Sequence, residues 1–211
     1  MYNLMFEKDA DMVEINPYIR LKSQKCMAID AKITCDENAG FRQKEIVENE
    51  DKSANSEKEQ IAKDWDLSYI EIGGNIGCLV NGAGLAMSTM DILNHYGGSP
   101  ANFLDVGGSA VGQAMTEAMK LVHNSETVDV VFVNIFGGIL QCDKLVESII
   151  EAHTENNFDK PIVLRLKGTN VDRAAELIKG REEELGITFT DDFDWAAQEA
   201  VKAAKEVANS K

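Results

Sequence analysis

An α/β fold with a mostly parallel sheet is predicted by three features of this 211-residue chain. Continuous apolar runs recur at Ile76–Val80, 103–106, 128–135 and 162–166, with a weaker one at 187–189. Segments of helical period separate these runs, and glycine-rich turns close several of them. Strands apolar on both faces belong to a parallel sheet covered by helices on each side. The pattern therefore predicts a three-layer domain, flavodoxin-like or Rossmann-like, with right-handed crossovers.

Taken in order, residues 12–21 and 25–33 each read as a strand. Val13 and Ile15 alternate with Glu14 and Asn16, and Met27, Ile29, Ala31 and Ile33 alternate with Ala28, Asp30 and Lys32. The polar stretch 22–25 turns the chain between them into a hairpin on which Glu14, Asn16 and Asp30 can share a face. Pro17 implies an edge position or a local break in pairing. Residues 36–64 are rich in Glu, Lys, Asn and Ser and read as a surface excursion, partly helical over 57–65. A domain boundary is expected there, dividing the chain into 1–65 and 66–211.

Residues 72–90 carry no charge, but five glycines, two asparagines, a serine and a threonine make them too polar for a lipid-facing helix. They read as strand, turn and helix. Helical spacing then follows at Val111, Ala114, Met115, Ala118 and Val122, at Leu145, Val146, Ile149 and Ile150, and at Val171, Ala174, Ala175 and Ile178. A last helix runs through Trp195, Ala196, Val201 and Ala204, and the acid-rich stretch 181–184 reads as a solvated helix end. There is no internal repeat and no low-complexity segment.

With 36 acidic against 21 basic residues, the formal net charge is -15. Such a surface repels nucleic acid phosphates and acidic lipid heads, so neither nucleic acid nor membrane is an expected partner. Cys26, Cys35, Cys78 and Cys142 show no CxxC spacing and read as free thiols of a reducing compartment. The first dozen residues carry acids and no long apolar core, unlike a secretory signal.

In a doubly wound domain, ligands bind beyond the carboxyl ends of the strands. Three Gly-rich turns fall there: Asn81-Gly-Ala-Gly, Asp105-Val-Gly-Gly and Phe136-Gly-Gly. The third, within Asn134-Ile-Phe-Gly-Gly-Ile-Leu, joins a buried strand to a helix. Its glycines permit close approach of a ligand, and the first-turn amides and dipole of that helix would favour an anion. The same residues would also suit an ordinary tight turn. No G-x-G-x-x-G precedes a helix, which argues against a nicotinamide or flavin dinucleotide.

The turns VNGAGLAM (80–87), PANFLDVGG (100–108) and VNIFGGI (133–139) resemble the β subunit of succinyl-CoA synthetase (succinate–CoA ligase). The likeness extends through EINP (14–17), IDAKI (29–33), FRQK (41–44), DLSYIEIGGNIGCLVNG and VLRLKGTNV (163–171), covering almost the whole chain. It implies the end of an ATP-grasp domain over 1–65, then a flavodoxin-like CoA-ligase domain over 66–211. Most of that family's nucleotide-binding half has no counterpart here, which implies either a fragment or a shortened product that does not catalyse alone.

The resemblance further implies a reaction, succinate with CoA and ATP or GTP giving succinyl-CoA, through a phosphohistidine on an α subunit that also holds most of the CoA. His95, His123 and His153 match no catalytic position and are expected on helix surfaces or ends. Asn16 and Asp30 match magnesium ligands, and an amide oxygen with a carboxylate suits a hard cation. From the residues alone, a solvated hairpin face explains the same pair. Glu14 matches a catalytic glutamate near the docked phosphohistidine. Asn81 matches a substrate-binding asparagine, and Gly138, Ile139 and Leu140 match the segment holding the succinate carboxylate or phosphate. The family works in the mitochondrial matrix in eukaryotes and in the cytoplasm in bacteria. Two residues depart from its pattern: Gln141 stands where many members carry Arg, and Ser109 replaces a third glycine. The alternatives are a sister ligase acting on malate, citrate or acetate, and a non-catalytic module that binds the α subunit.

Overall fold

The computed structural model describes residues 1–50, 56–108 and 110–210. The chain divides into two units, Met1–Ala54 and Asn55–Lys211.

In the first unit, α1 (Tyr2–Glu7) precedes β1 (Ala10–Ile15). β1 pairs antiparallel with β4 (Ala31–Cys35), and β2 (Tyr18–Arg20) with β3 (Cys26–Ala28). The predicted hairpin is present, with each long strand broken once. Pro17 has no N–H for a ladder and separates β1 from β2. Opposite it, Ile29 N–H donates to the Pro17 carbonyl at 3.1 Å, and regular pairing resumes at Ala31. Met27, Ile29 and Ile33 stay 46%, 53% and 43% exposed, so this hairpin builds no core of its own. A short 3-10 turn (Glu37–Ala39) and α2 (Lys44–Glu48) follow. Asp9 fastens this stretch: Arg42 reaches its carboxylate twice, at 2.6 and 2.9 Å, and Gln43 once, at 2.7 Å. The Arg42 hydrogen bond is the main reason its carboxyl is held down to about 2.

The second unit opens with α3 (Glu57–Asp64), started by a capping box in which Ser56 and Glu59 satisfy each other's backbone N–H. Ala62 of α3 is buried in one core with Leu67 and Tyr69, so α3 belongs to this unit. The division expected at 65/66 placed it in the other one. β5 (Ser68–Glu71), β6 (Ile76–Val80), α4 (Ala83–His95), β7 (Asn102–Asp105), α5 (Gln113–His123), β8 (Val130–Gly137) and α6 (Cys142–Asn156) follow in turn. β9 (Ile162–Gly168), α7 (Val171–Ile178), α8 (Glu182–Leu185), β10 (Ile187–Thr190) and α9 (Phe193–Ser210) complete the unit.

These strands form one sheet in the order β10-β9-β8-β6-β7-β5, parallel except for β5. Among the parallel strands this is the flavodoxin-like order, with the reversal between β6 and β8. β8 is buried on both faces because its residues serve two cores. Val131, Val133 and Ile135 meet α5 and α6, while Val130 and Phe132 meet α4 and α9.

Polar groups inside the sheet have structural partners. β6 and β7 part around Cys78, and the buried Asn102 fills the gap with its carboxamide. Asn102 Oδ1 accepts from Cys78 N–H at 3.0 Å, and Asn102 Nδ2 donates to the Cys78 carbonyl at 2.8 Å. The side chain thus stands in for a missing peptide group. A second chain crosses the layer below α4 and α9. Asn134 Nδ2 donates to Thr89 Oγ1 at 2.8 Å, Arg165 Nη1 donates to Asn134 Oδ1 at 3.3 Å, and Arg165 Nε donates to the Asp191 carbonyl at 3.1 Å.

His95 and His123 close their helices, but His123 is buried rather than on the surface. Its Nε2 accepts backbone N–H bonds from Asp159 at 3.0 Å and Lys160 at 3.3 Å. A protonated Nε2 could not accept them, so this geometry belongs to the neutral ring. Burial is the main cause lowering the His123 pKa, and it outweighs the Asp159 carboxylate 3.1 Å away.

Two outcomes are expected. Replacing Asn102 with Ala leaves the Cys78 peptide groups unmet in the interior and should cost about 2 kcal/mol, read as a lower urea midpoint with an unchanged slope. Because His123 binds protons more weakly folded than unfolded, its contribution is present above pH 6.5 and is lost as pH falls below it. Wild-type urea midpoints should decline from pH 7 to 5, more steeply than those of His123→Gln.

Candidate functional site

The strand reversal places the carboxyl ends of β6 and β8 side by side with their connections leaving in opposite directions, which opens a crevice above them. Asn81, the first residue beyond β6, bridges it. Its Nδ2 donates to the Phe136 carbonyl at 2.9 Å, and its Oδ1 accepts from Phe136 N–H at 2.8 Å. The carboxamide copies a peptide group and carries the β6–β8 ladder one step past the last backbone pair, Val80 and Asn134. A carboxamide has two N–H donors, and the second Asn81 N–H has no acceptor among the described residues.

Beyond Phe136, residues 138–141 form the predicted corner. Its two glycines serve different ends. A Cβ at Gly137 would meet Cys142 Sγ at 2.6 Å and the Leu140 carbonyl at 2.9 Å, so the chain's own packing requires glycine there. A Cβ at Gly138 would meet nothing within 4 Å, so its missing side chain leaves the backbone open to an approaching group. Thr169 stitches the corner to the end of β9. Its N–H donates to the Gly137 carbonyl at 2.8 Å and its Oγ1 to the Gly138 carbonyl at 3.2 Å, while its own carbonyl accepts from Cys142 N–H at 3.0 Å. Leu140 is buried beneath the turn, and Ile139 stands 91% exposed above it.

The first turn of α6 is occupied from within the chain. The sequence pointed to the first-turn amides of α6, but Cys142 N–H is taken by Thr169, and Asp143 occupies the rest of the turn. Its buried carboxylate accepts from Asn170 Nδ2 at 3.0 Å, lies 3.5 Å from Arg173 Nε, and is met by the backbone N–H groups of Asp143 and Lys144. The Asn170 bond is the largest influence holding this carboxyl below its ordinary range. An acid in the first turn is a usual complement to the helix dipole. The amides of Ile139, Leu140 and Gln141, just ahead of the helix, have no acceptor among the described residues. Unpaired N–H groups just ahead of a helix are donors that an anion could meet.

A second helix entrance opens on the same crevice. α4 begins at Gly82 with φ 94°, no capping side chain and no acid in its first turn. Gly82 N–H donates to Asp105 Oδ1 at 2.6 Å, and Gly107 N–H reaches the same oxygen at 2.8 Å. Asp105, Phe136 and Thr169 escaped the sequence reading as site residues. Their part depends on neighbours distant in the chain, and only the Asp-x-Gly spacing of Asp105 is a local turn signal. Gln141 caps α6 without a side-chain bond, and Ser109 lies outside the described residues.

In the first unit, the hairpin brings Glu14, Asn16 and Asp30 together, all three exposed. Asn16 N–H donates to the Asp30 carbonyl at 3.3 Å, and Asn16 Nδ2 lies 3.4 Å from Glu14 Oε1. Asp30 Oδ1 accepts from Ala31 N–H at 2.8 Å. With its amide nitrogen turned to Glu14, Asn16 keeps an amide oxygen for a cation, and Asp30 keeps its second carboxylate oxygen. This all-oxygen donor set fits a hard divalent ion that retains waters or phosphate oxygens. Among the described residues, no group of three or more His, Cys, Asp or Glu side chains is clustered for a metal, and no helix is long and apolar enough to cross a membrane.

A family model described as CoA-ligase matches residues 79–207. The succinate–CoA ligase (ADP-forming) subunit beta of Macrococcus caseolyticus is 47% identical over 206 residues, covering 98% of this chain and 52% of that protein. The subunit of the same name from Myxococcus xanthus is 49% identical over 205 residues, covering 97% of this chain and 53% of its own length. The chain thus spans about half the length of the curated relatives it matches. Among solved structures, ATP citrate lyase from Methanothrix soehngenii in complex with citrate and coenzyme A aligns with a TM-score of 0.78 at 15% identity, over 95% of this chain and 57% of that one. At that identity the likeness is one of fold.

The contrast between the two corner glycines is testable. Gly137→Ala should cost about 1–3 kcal/mol because a packed backbone must shift, while Gly138→Ala should stay within about 0.5 kcal/mol of wild type. Thermal melts of both variants decide it.

Proposed function

The chain belongs to the CoA-ligase family, and we propose that it works as part of a succinate–CoA ligase β subunit, forming succinyl-CoA with cleavage of a nucleoside triphosphate. One observation carries this reading: near-half identity to subunits of that name runs through 97–98% of the chain. Those relatives are named ADP-forming and come from bacteria, which favours ATP over GTP and the cytoplasm over the mitochondrial matrix.

The corner's part is electrostatic. The unpaired amides of Ile139, Leu140 and Gln141, with the second N–H of Asn81, would hold a succinate carboxylate or a phosphoryl group. They would stabilise charge there without reorganising, as preorganised donors do for transferring groups. Gly138 gives the anion access to the backbone. The chain's histidines lie away from this corner in sequence, and His123 is committed to Asp159 and Lys160. The resemblance to succinate–CoA ligase β subunits implies that the phosphorylated histidine, and most of the CoA binding, belong to an α subunit. Exposed Met87, Phe136 and Ile139 around the carboxyl edge suit an apolar contact with such a partner.

Asn16 and Asp30 would hold a magnesium ion, with Glu14 beside them as the catalytic glutamate. Magnesium would supply charge neutralisation on the nucleotide phosphates. The first unit, Met1–Ala54, is read as the end of an ATP-grasp domain.

The test pairs the chain, within its complete subunit, with an α subunit and offers succinate, malate, citrate or acetate together with CoA and ATP. Succinate-dependent loss of free thiol with ADP release is expected, and Asp30→Asn should lower turnover about ten- to a hundredfold, with partial recovery at high magnesium. Turnover with citrate or malate but not succinate would replace this assignment with a sister ligase. Capture of α with no turnover on any acid would make the chain a non-catalytic binding module.

A further inference from the structure

We propose that Asp105 is a positioning residue for Asn81, fixing the carboxamide that closes the β6–β8 crevice. The inference rests on the substrate-binding role given to Asn81 above and adds a residue to the same site.

The argument is one of register. Asp105 lies opposite Val80 in the parallel β6–β7 pair, and Val106 N–H donates to the Val80 carbonyl at 2.8 Å. The peptide group ahead of Asn81 is therefore held by the β7 backbone. The peptide group behind it is held by the Asp105 side chain, through Gly82 N–H at 2.6 Å. Asn81 sits between these two anchors, both on the β7 side, and its side chain crosses to Phe136 on the β8 side. A residue anchored ahead and behind has little freedom to swing, so its carboxamide meets Phe136 in register.

Both glycines bonded to Asp105 lie at positive φ, Gly82 at 94° and Gly107 at 67°. Each turn thus adopts a backbone suited to glycine, and both present their N–H to one oxygen. The Gly107 bond is an ordinary Asx turn within Asp105-Val-Gly. The Gly82 bond spans 23 residues and has no local explanation. It ties the entrance of α4 to the end of β7, on the side of Asn81 away from Phe136.

Position and charge make different demands on this residue. An acceptor oxygen at this place is enough to hold Gly82 and Gly107, and an asparagine carbonyl can supply it. Asp105→Asn should therefore preserve the site, whereas Asp105→Ala removes the acceptor and Asp105→Glu moves it by a methylene.

The test reads amide hydrogen exchange at Phe136, whose N–H bond to Asn81 Oδ1 reports the carboxamide directly, in this chain and its three variants. Exchange should rise about tenfold in Asp105→Ala and Asp105→Glu and stay within about threefold of wild type in Asp105→Asn. Unchanged exchange in Asp105→Ala, or Asp105→Asn behaving like it, would overturn the proposal. In the enzyme paired with an α subunit, Asp105→Ala should raise KM for succinate about ten- to a hundredfold with kcat changed far less, and Asp105→Asn should rescue it. A fall in kcat at constant KM without that rescue would assign Asp105 direct chemistry and also overturn positioning. Should wild type fail to ligate succinate, the functional reading falls, while the exchange measurement still decides whether Asp105 positions Asn81.

Discussion

The site depends on the pairing of β6 with β8. Strand connections leave this pair in opposite directions, so no helix can cover the point where they part. An open end of that kind would leave backbone groups unpaired. Here the Asn81 carboxamide closes the ladder against Phe136. Asparagine suits the task because its side chain carries the donor and acceptor of a peptide group in one plane. The same device recurs at Asn102, where the problem is a buried gap between β6 and β7. One asparagine protects the interior and the other shapes the mouth.

Much of this architecture was legible before any coordinates. Strands serving two cores are apolar at most positions, and β6, β8 and β9 announced themselves for that reason. β5 did not. It is four residues long, only Tyr69 of it is buried, and it runs antiparallel at the sheet edge, where a short strand leaves little periodicity to read. The hairpin was foreseen, and Pro17 marked the interruption, yet the exposure of Met27 and Ile29 could not be inferred from their alternation alone.

The corner shows where sequence reasoning stops. Strand, glycines and helix suggested a dipole facing a ligand, and the order of elements was right. The first-turn amides are occupied, because Asp143 turns its carboxylate onto the helix start and takes partners from the start of α7. That choice requires knowing that Asn170 and Arg173 come near, which no local pattern encodes. The buried link from Thr89 through Asn134 to Arg165 is similar. Each member looks unremarkable in its own segment, and the reason for a largely buried guanidinium appears only once its acceptors and the Phe193 ring, 5.6 Å away, are assembled around it.

The close approach of β8 and β9 at their ends has a consequence for how this region can vary. At Gly168, held at φ 114°, an added methyl would come within 2.0 Å of the Gly137 carbonyl oxygen, and at Gly137 it would strike Cys142 and Leu140. Two backbones therefore touch where other sheets place side chains, and mutation is barred on both sides of the seam. Diversity is pushed outward to Ile139, whose side chain meets almost nothing of its own fold. Selection could change that position freely while the floor beneath it stayed frozen.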